Sequence, residues 1–156
     1  MSLKGRALRH LARREHSRAE LERKLLPHVE ASEAVNGREL LRGALDDLAA
    51  RGLQSDERAA ESALHRSLAR VGSRRLRHDL LAKGLNAELV AATVARARAT
   101  EFDRAWALWQ RRFGAAPSDA TERARQARFL AGRGFEADVV RRVLRLADSG
   151  DGHSPE

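Results

Sequence analysis

Residues 83–90 read Lys83-Gly84-Leu85-Asn86-Ala87-Glu88-Leu89-Val90, and residues 133–140 read Arg133-Gly134-Phe135-Glu136-Ala137-Asp138-Val139-Val140. A basic residue, a glycine, a large apolar residue, an alanine, an acid and a valine recur in register, fifty positions apart. The glycine closes one helix, and the acid falls in the first turn of the next, where the helix dipole favours it. One turn written twice predicts an internal helical repeat of roughly 50 residues. A weaker match sets Ser17–Leu26 beside Ser73–Leu81, with leucines at equivalent turns once one residue is slipped.

Outward from that turn, helical periodicity runs along nearly the whole chain. A first helix over 5–14 has Leu8, Leu11 and Ala12 on one face and Arg6, Arg9 and Arg13 on the other. Ser17 with Glu20 forms a capping box that opens a second helix, which the sequence ends at Pro27. Asn36-Gly37 marks a turn before a third helix carrying Leu41, Leu45 and Leu48. Asp56, Ser73 and Asn86 read as caps of the next three, whose stripes are Ala60/Leu64/Leu68/Val71, Leu76/Leu80/Leu81 and Leu89/Val90/Val94/Ala97. The last three carry Phe102/Trp106/Trp109/Phe113, then Ala124/Ala127/Leu130 after a cap at Asp119 or Thr121, then Val139/Val140/Val143/Leu144.

This reading gives an all-α fold of three tandem three-helix repeats, forming an elongated, curved solenoid-like body. The repeats are expected at 1–54, 55–100 and 101–147, with a disordered polar tail at 148–156. Composition agrees. Of 156 residues, 29 are alanine and 22 leucine, while Tyr is absent and aromatics make up 4%. Alanine buries little area, so each unit has a thin core and must stack on its neighbours. No apolar run approaches a membrane span. The start meets charge at once and lacks a signal peptide, which points to the cytoplasm.

The chemistry of the chain points away from catalysis. With no cysteine, thiolate nucleophiles and thiolate metal sites are excluded. There is no phosphate-cradling glycine loop and no HExxH pair. Glu57, Glu61 and His65 are spaced four apart but lack a further ligand group, and Ser17 beside His16 is explained by capping. No enzyme, cofactor or metal is expected. What stands out is charge: 27 Arg and 3 Lys against 22 acids, a net +8. Part of this bias is what a GC-rich genome produces, but net charge attracts polyanions whatever its origin. Two clusters exceed the background, Arg6/Arg9/Arg13 and Arg66/Arg70/Arg74/Arg77. Grouped guanidiniums suit phosphates or carboxylate-rich protein. No aromatics interleave these clusters in sequence, so base stacking finds no support there.

The segment Arg6-Ala7-Leu8-Arg9-His10-Leu11-Ala12-Arg13-Arg14-Glu15-His16-Ser17-Arg18-Ala19-Glu20-Leu21 resembles the opening of the RecX regulatory proteins. Gln126-Ala127-Arg128-Phe129-Leu130-Ala131-Gly132-Arg133-Gly134-Phe135 resembles their last repeat, and the likeness extends over residues 5–147. It implies tandem three-helix repeats and a non-enzymatic regulator that binds the RecA recombinase and its filament on single-stranded DNA. Inhibition of ATP hydrolysis, strand exchange and filament growth in recombination and SOS repair is the implied activity. A monomer is expected, with the seven arginines as partner- or DNA-binding candidates, chosen by charge grouping. The alternatives are a direct DNA-binding protein with RecA contact incidental, and a helical protein-interaction scaffold.

Overall fold

The computed structural model describes residues 1–32 and 35–150. Among them are nine α-helices and no strand: α1 (Leu3–Leu11), α2 (Arg18–Glu30), α3 (Gly37–Ala50), α4 (Asp56–Ser67), α5 (Ser73–Ala82), α6 (Ala87–Arg98), α7 (Glu101–Arg112), α8 (Ala120–Gly132) and α9 (Ala137–Ser149). The fold is all-α, with a three-helix repeat architecture. The residues cluster into two compact units. Unit 1 holds Met1–Ala63 with Leu80–Val90, and unit 2 holds Leu64–Asp79 with Ala91–Glu156.

The core of unit 1 is a leucine bundle of α1, α2 and α3: Leu21, Leu25, Leu41, Leu45 and Leu48 around Ala7. Full burial of one such leucine contributes about 2 kcal/mol. The first helix is phased differently from the sequence reading. Ala7 is fully buried with Leu3 and Leu11 beside it, whereas Leu8 is exposed. Ser2, whose hydroxyl accepts the Gly5 N–H, starts the helix two residues early. Pro27 does not end α2. Only the missing N–H of Pro27 is lost from the ladder, and its carbonyl still accepts from Ala31. The capping box of Ser17 and Glu20 forms as expected.

His16 is buried beneath that box. Its Nδ1 lies 3.0 Å from the Arg14 carbonyl and its Nε2 lies 3.1 Å from the Lys24 ammonium. Nε2 must therefore accept and Nδ1 must carry the single proton. Burial, with Arg14 and Lys24 close by, pushes the imidazole below its ordinary pKa.

The core of unit 2 is branched and aromatic: Val139, Val140, Val143 and Leu144 of α9 against Ala105, Trp109, Leu130 and Phe135. Trp109 donates its indole N–H to the buried Gln126 (2.8 Å), which satisfies both polar groups. Trp106 stacks on Trp109 with centroids 4.9 Å apart and stays half-buried. Asp119 caps α8 through the Glu122 N–H, and Asn86 caps α6 through the Leu89 N–H. The helix α9 runs through Ser149, two residues beyond the expected end of the repeat at 147, and Gly150 closes it in the left-handed conformation. Residues 151–156 of that tail lie outside the described residues.

Candidate partner-binding surface

The repeated turn has a repeated task. In unit 1, the α2 start reaches the α5–α6 turn, where the Ser17 hydroxyl donates to the Lys83 carbonyl (2.5 Å). In unit 2, the α5 start reaches the α8–α9 turn. There Gly72 N–H donates to the Arg133 carbonyl (2.9 Å) and Arg74 N–H to the Gly134 carbonyl (3.0 Å). The two copies of the basic-Gly-apolar sequence are thus seats for an earlier helix start. The seat in unit 2 requires glycine on both sides. A Cβ on Gly72 would collide with Phe135 backbone atoms, and Gly134 sits at φ +87° against Arg75.

An acid locks each seat. Asp56, the first residue of α4, accepts the Arg18 N–H at 2.9 Å. Glu101, the first residue of α7, accepts the Ser73 N–H (3.3 Å), the Ser73 hydroxyl (2.7 Å), the Glu136 N–H (3.0 Å) and Arg98 Nη1 (2.9 Å) while fully buried. Asp56 and Ser73 both depart from their expected capping roles. The cap of α4 is Ser55, which accepts the Arg58 N–H, so Asp56 is free to bridge. Ser73 is the first residue of α5 and not its cap: the Leu76 N–H closes the first turn on the Gly72 carbonyl, and the Ser73 hydroxyl donates to Glu101. Arg98 also pairs with Asp138 at 3.0 Å, and these two carboxylates raise its pKa. Arg104 of α7, itself partly buried, donates to the Leu68, Val71 and Ala97 carbonyls at 2.8–3.0 Å, closing the ends of α4 and α6. In unit 1, burial alone would raise Glu20. The Arg14 guanidinium, the Ser17 N–H and the Lys83 charge outweigh it and hold the carboxyl at about 2.

The seven sequence-chosen arginines divide between the units. Arg6, Arg9 and Arg13 belong to unit 1; Arg66, Arg70, Arg74 and Arg77 belong to unit 2. All are exposed except half-buried Arg6. Arg77 is held by Glu136 at 3.2 Å, and Arg74 reaches the Ala131 carbonyl at 2.5 Å. Arg66 and Arg70 have no ion-pair partner among the described residues. Arg74, Arg75 and His78 line an open hollow of about 510 Å³ walled by Ala131, Gly132 and Gly134.

The charge is lopsided. Unit 1 holds thirteen basic side chains against twelve acids, whereas unit 2 holds seventeen arginines against ten. Sequence reading also missed a cluster in which arginines and phenylalanines alternate in space. Arg133 lies 5.3 Å from the Phe129 ring centroid and its Nη1 donates to the Arg70 carbonyl. Arg112 covers Phe129 (5.3 Å) and reaches Phe113 (6.0 Å), and Arg125 covers Phe113 at 5.4 Å. The two rings meet edge to face at 5.4 Å. Among the described residues no helix is long and apolar enough to cross a membrane.

A family model described as the RecX third three-helix domain matches residues 99–144. The regulatory protein RecX of Leptothrix cholodnii is 51% identical over 98% of this chain and 94% of its own length. That of Ralstonia nicotianae is 44% identical over 99% and 95%. The crystal structure of RecX from Lactobacillus salivarius superposes with a TM-score of 0.74 at 17% identity, covering 94% of this chain and 95% of that one. Relatives this similar over nearly their whole length establish that the chain belongs to the RecX family of regulatory proteins.

Proposed function

We propose that this protein regulates the RecA recombinase by binding it and its filament on single-stranded DNA. It inhibits ATP hydrolysis, strand exchange and filament growth in recombination and SOS repair. The observation that carries this reading is the full-length membership of the RecX family. The concentration of exposed arginine in unit 2 supplies the physical means, a surface that attracts an acidic partner. Helix triplets 1–54, 55–100 and 101–147 serve as modules of a binding protein that performs no catalytic step. The twice-used seat, with Ser17 on Lys83 and the Ser73 turn on Gly134, supports that division. The protein acts in the cytoplasm as a monomer.

Inhibition is steric and conformational on this reading. A body that bridges successive RecA protomers opposes their rearrangement during nucleotide turnover and blocks addition at the growing end. Arg66, Arg70 and Arg74 of unit 2 are the preferred contacts, and Arg6, Arg9 and Arg13 contribute less because their unit is nearly neutral. The test is a titration of RecA's DNA-dependent ATPase with the protein and with its Arg70→Glu/Arg74→Glu variant. The parent suppresses the rate and the variant suppresses it weakly. Undiminished inhibition by a folded variant removes these residues from the interface, and no inhibition by the parent removes the reading.

A further inference from the structure

We infer that Lys24 is an acylation site, at which the Nζ amine attacks an acyl phosphate and His16 Nε2 is the base that takes its proton. The chain holds three lysines, and their surroundings differ. The Lys4 ammonium is engaged by Asp47 at 2.6 Å. Lys83 lies 3.8 Å from Glu20, with 19% of its side chain exposed. Lys24 is exposed and has no carboxylate partner among the described residues, and its Nζ lies 3.1 Å from Nε2 of the buried His16. This chemistry requires nothing of the regulatory reading.

An imidazole acts as a base only when a lone pair faces the donor, and the fold supplies that arrangement. Nδ1 lies 3.0 Å from the Arg14 carbonyl, which can only accept, so the ring proton stays on that side and Nε2 meets Lys24 bare. The residue is held from two sides. The Gln54 amide donates to the His16 carbonyl (3.3 Å), and the His10 ring tilts against the imidazole at 5.5 Å. The charged and titratable groups around it are His10, Arg13 and Arg14 from α1 and the turn after it, and Glu20 and Lys24 from α2. Lys83 stands beside Glu20, Asp56 behind Gln54, and His28 near His10. Burial and the neighbouring cations keep His16 neutral. With one N–H held on Nε2, the Lys24 amine offers its lone pair to solvent, where the acyl donor arrives. Nitrogen bonds to the acyl carbon, the carbon–oxygen bond to phosphate breaks, and phosphate departs with that electron pair. The proton shed by the amine passes to Nε2 and then to water, which regenerates the imidazole. The amide formed still has an N–H for Nε2 but carries no charge. Unit 1 then holds twelve basic side chains against twelve acids.

The test needs no RecA. The full chain is incubated with acetyl phosphate between pH 7.5 and 5.5, and acetylation of Lys4, Lys24 and Lys83 is followed by peptide mass spectrometry. At pH 7.5 Lys24 reacts at least about tenfold faster than either other lysine, less than the roughly 100-fold of an enclosed general base because water reaches the amine. The ratio of the Lys24 rate to the Lys4 rate falls as the pH drops below 6.5, since a protonated Nε2 accepts nothing. In His16→Gln, checked for folding by circular dichroism, Lys24 slows to the Lys4 rate. Asp47→Asn releases Lys4 from its carboxylate, and Lys4 quickens but stays behind Lys24. Equal rates at Lys24 and Lys4 in the parent overturn the inference. So does a rate ratio that does not change with pH, a reading that needs no variant, and so does undiminished Lys24 acetylation in folded His16→Gln. Lys4 drawing level with Lys24 in Asp47→Asn also overturns it and assigns the difference to ion pairing alone. Inhibition of RecA ATPase enters none of these rates, so failure of the regulatory reading leaves them unchanged.

Discussion

Replacing Glu101 with alanine should cost about 3–5 kcal/mol of folding stability, the range for removing one partner of a buried charged network. The structure supports the magnitude group by group. The two carboxylate oxygens accept from the Ser73 N–H, the Ser73 hydroxyl, the Glu136 N–H and Arg98. Each buried donor left without an acceptor costs about 1–3 kcal/mol. The half-exposed Arg98 recovers by keeping Asp138, and the serine hydroxyl can turn, so the total falls below the simple sum. A chain of this size is stable by about 5–15 kcal/mol, so the variant should unfold at a much lower urea concentration with an unchanged m-value. Glu101→Gln keeps one acceptor oxygen and should recover part of the loss. The assay is equilibrium urea unfolding followed by circular dichroism, with Ser73→Ala and the double variant completing a cycle. A loss below about 1 kcal/mol for Glu101→Ala, or strict additivity with Ser73→Ala, would refute the account of Glu101 as the lock of its seat.

Other consequences are equally direct. His16 and His10 both titrate below 6.5 in the folded protein, so under that pH the unfolded chain takes up protons that the folded chain refuses. The urea midpoint should therefore fall between pH 7.5 and 5.5, and His16→Gln should flatten that slope; an unchanged slope contradicts the neutral His16. Glu20 is held at about 2 against an ordinary 4.5, so its stabilisation is complete above 4.5 and is lost as pH falls toward 2. Glu20→Gln should remove that acid limb from the melting-temperature profile. Gly72→Ala forces a methyl into the Phe135 backbone and should cost about 3 kcal/mol by urea titration, with wild-type stability as the contrary result. Arg104→Met strips three helix-end carbonyls of their donor. It should cost about 3 kcal/mol, and amide exchange should quicken at the ends of α4 and α6.

Local chemistry made much of the fold legible. The capping box at Ser17, the Asn86 and Asp119 caps and the α9 valine stripe depend on neighbours within one turn or two, and all take their expected form. The phase of α1 was misread because Leu8 looked like core and Ala7 like filler. In a thin bundle the small residue occupies the crowded position. Glu101 was invisible as a buried hub because carboxylates belong outside unless paired, and three of its four hydrogen bonds come from Ser73 and Glu136, far along the chain. The candidate surface was half legible. Runs of arginine on one helix show in sequence, but the Arg–Phe face joins positions 112–113, 125, 129 and 133 across a loop, so only folding makes it a cluster.

The seat at Lys83 also sets a timetable for biosynthesis. When Ala63 leaves the ribosome, unit 1 has its three-helix leucine core but lacks the segment Leu80–Val90 that completes it. Ser17 must wait for Lys83, and Ser73 must wait for the Gly134 turn. Translation therefore delivers each unit with an unfilled joint. A ribosome stalled between these points would present an incomplete protein to the quality-control machinery, with the first helix start open in one case and the second in the other.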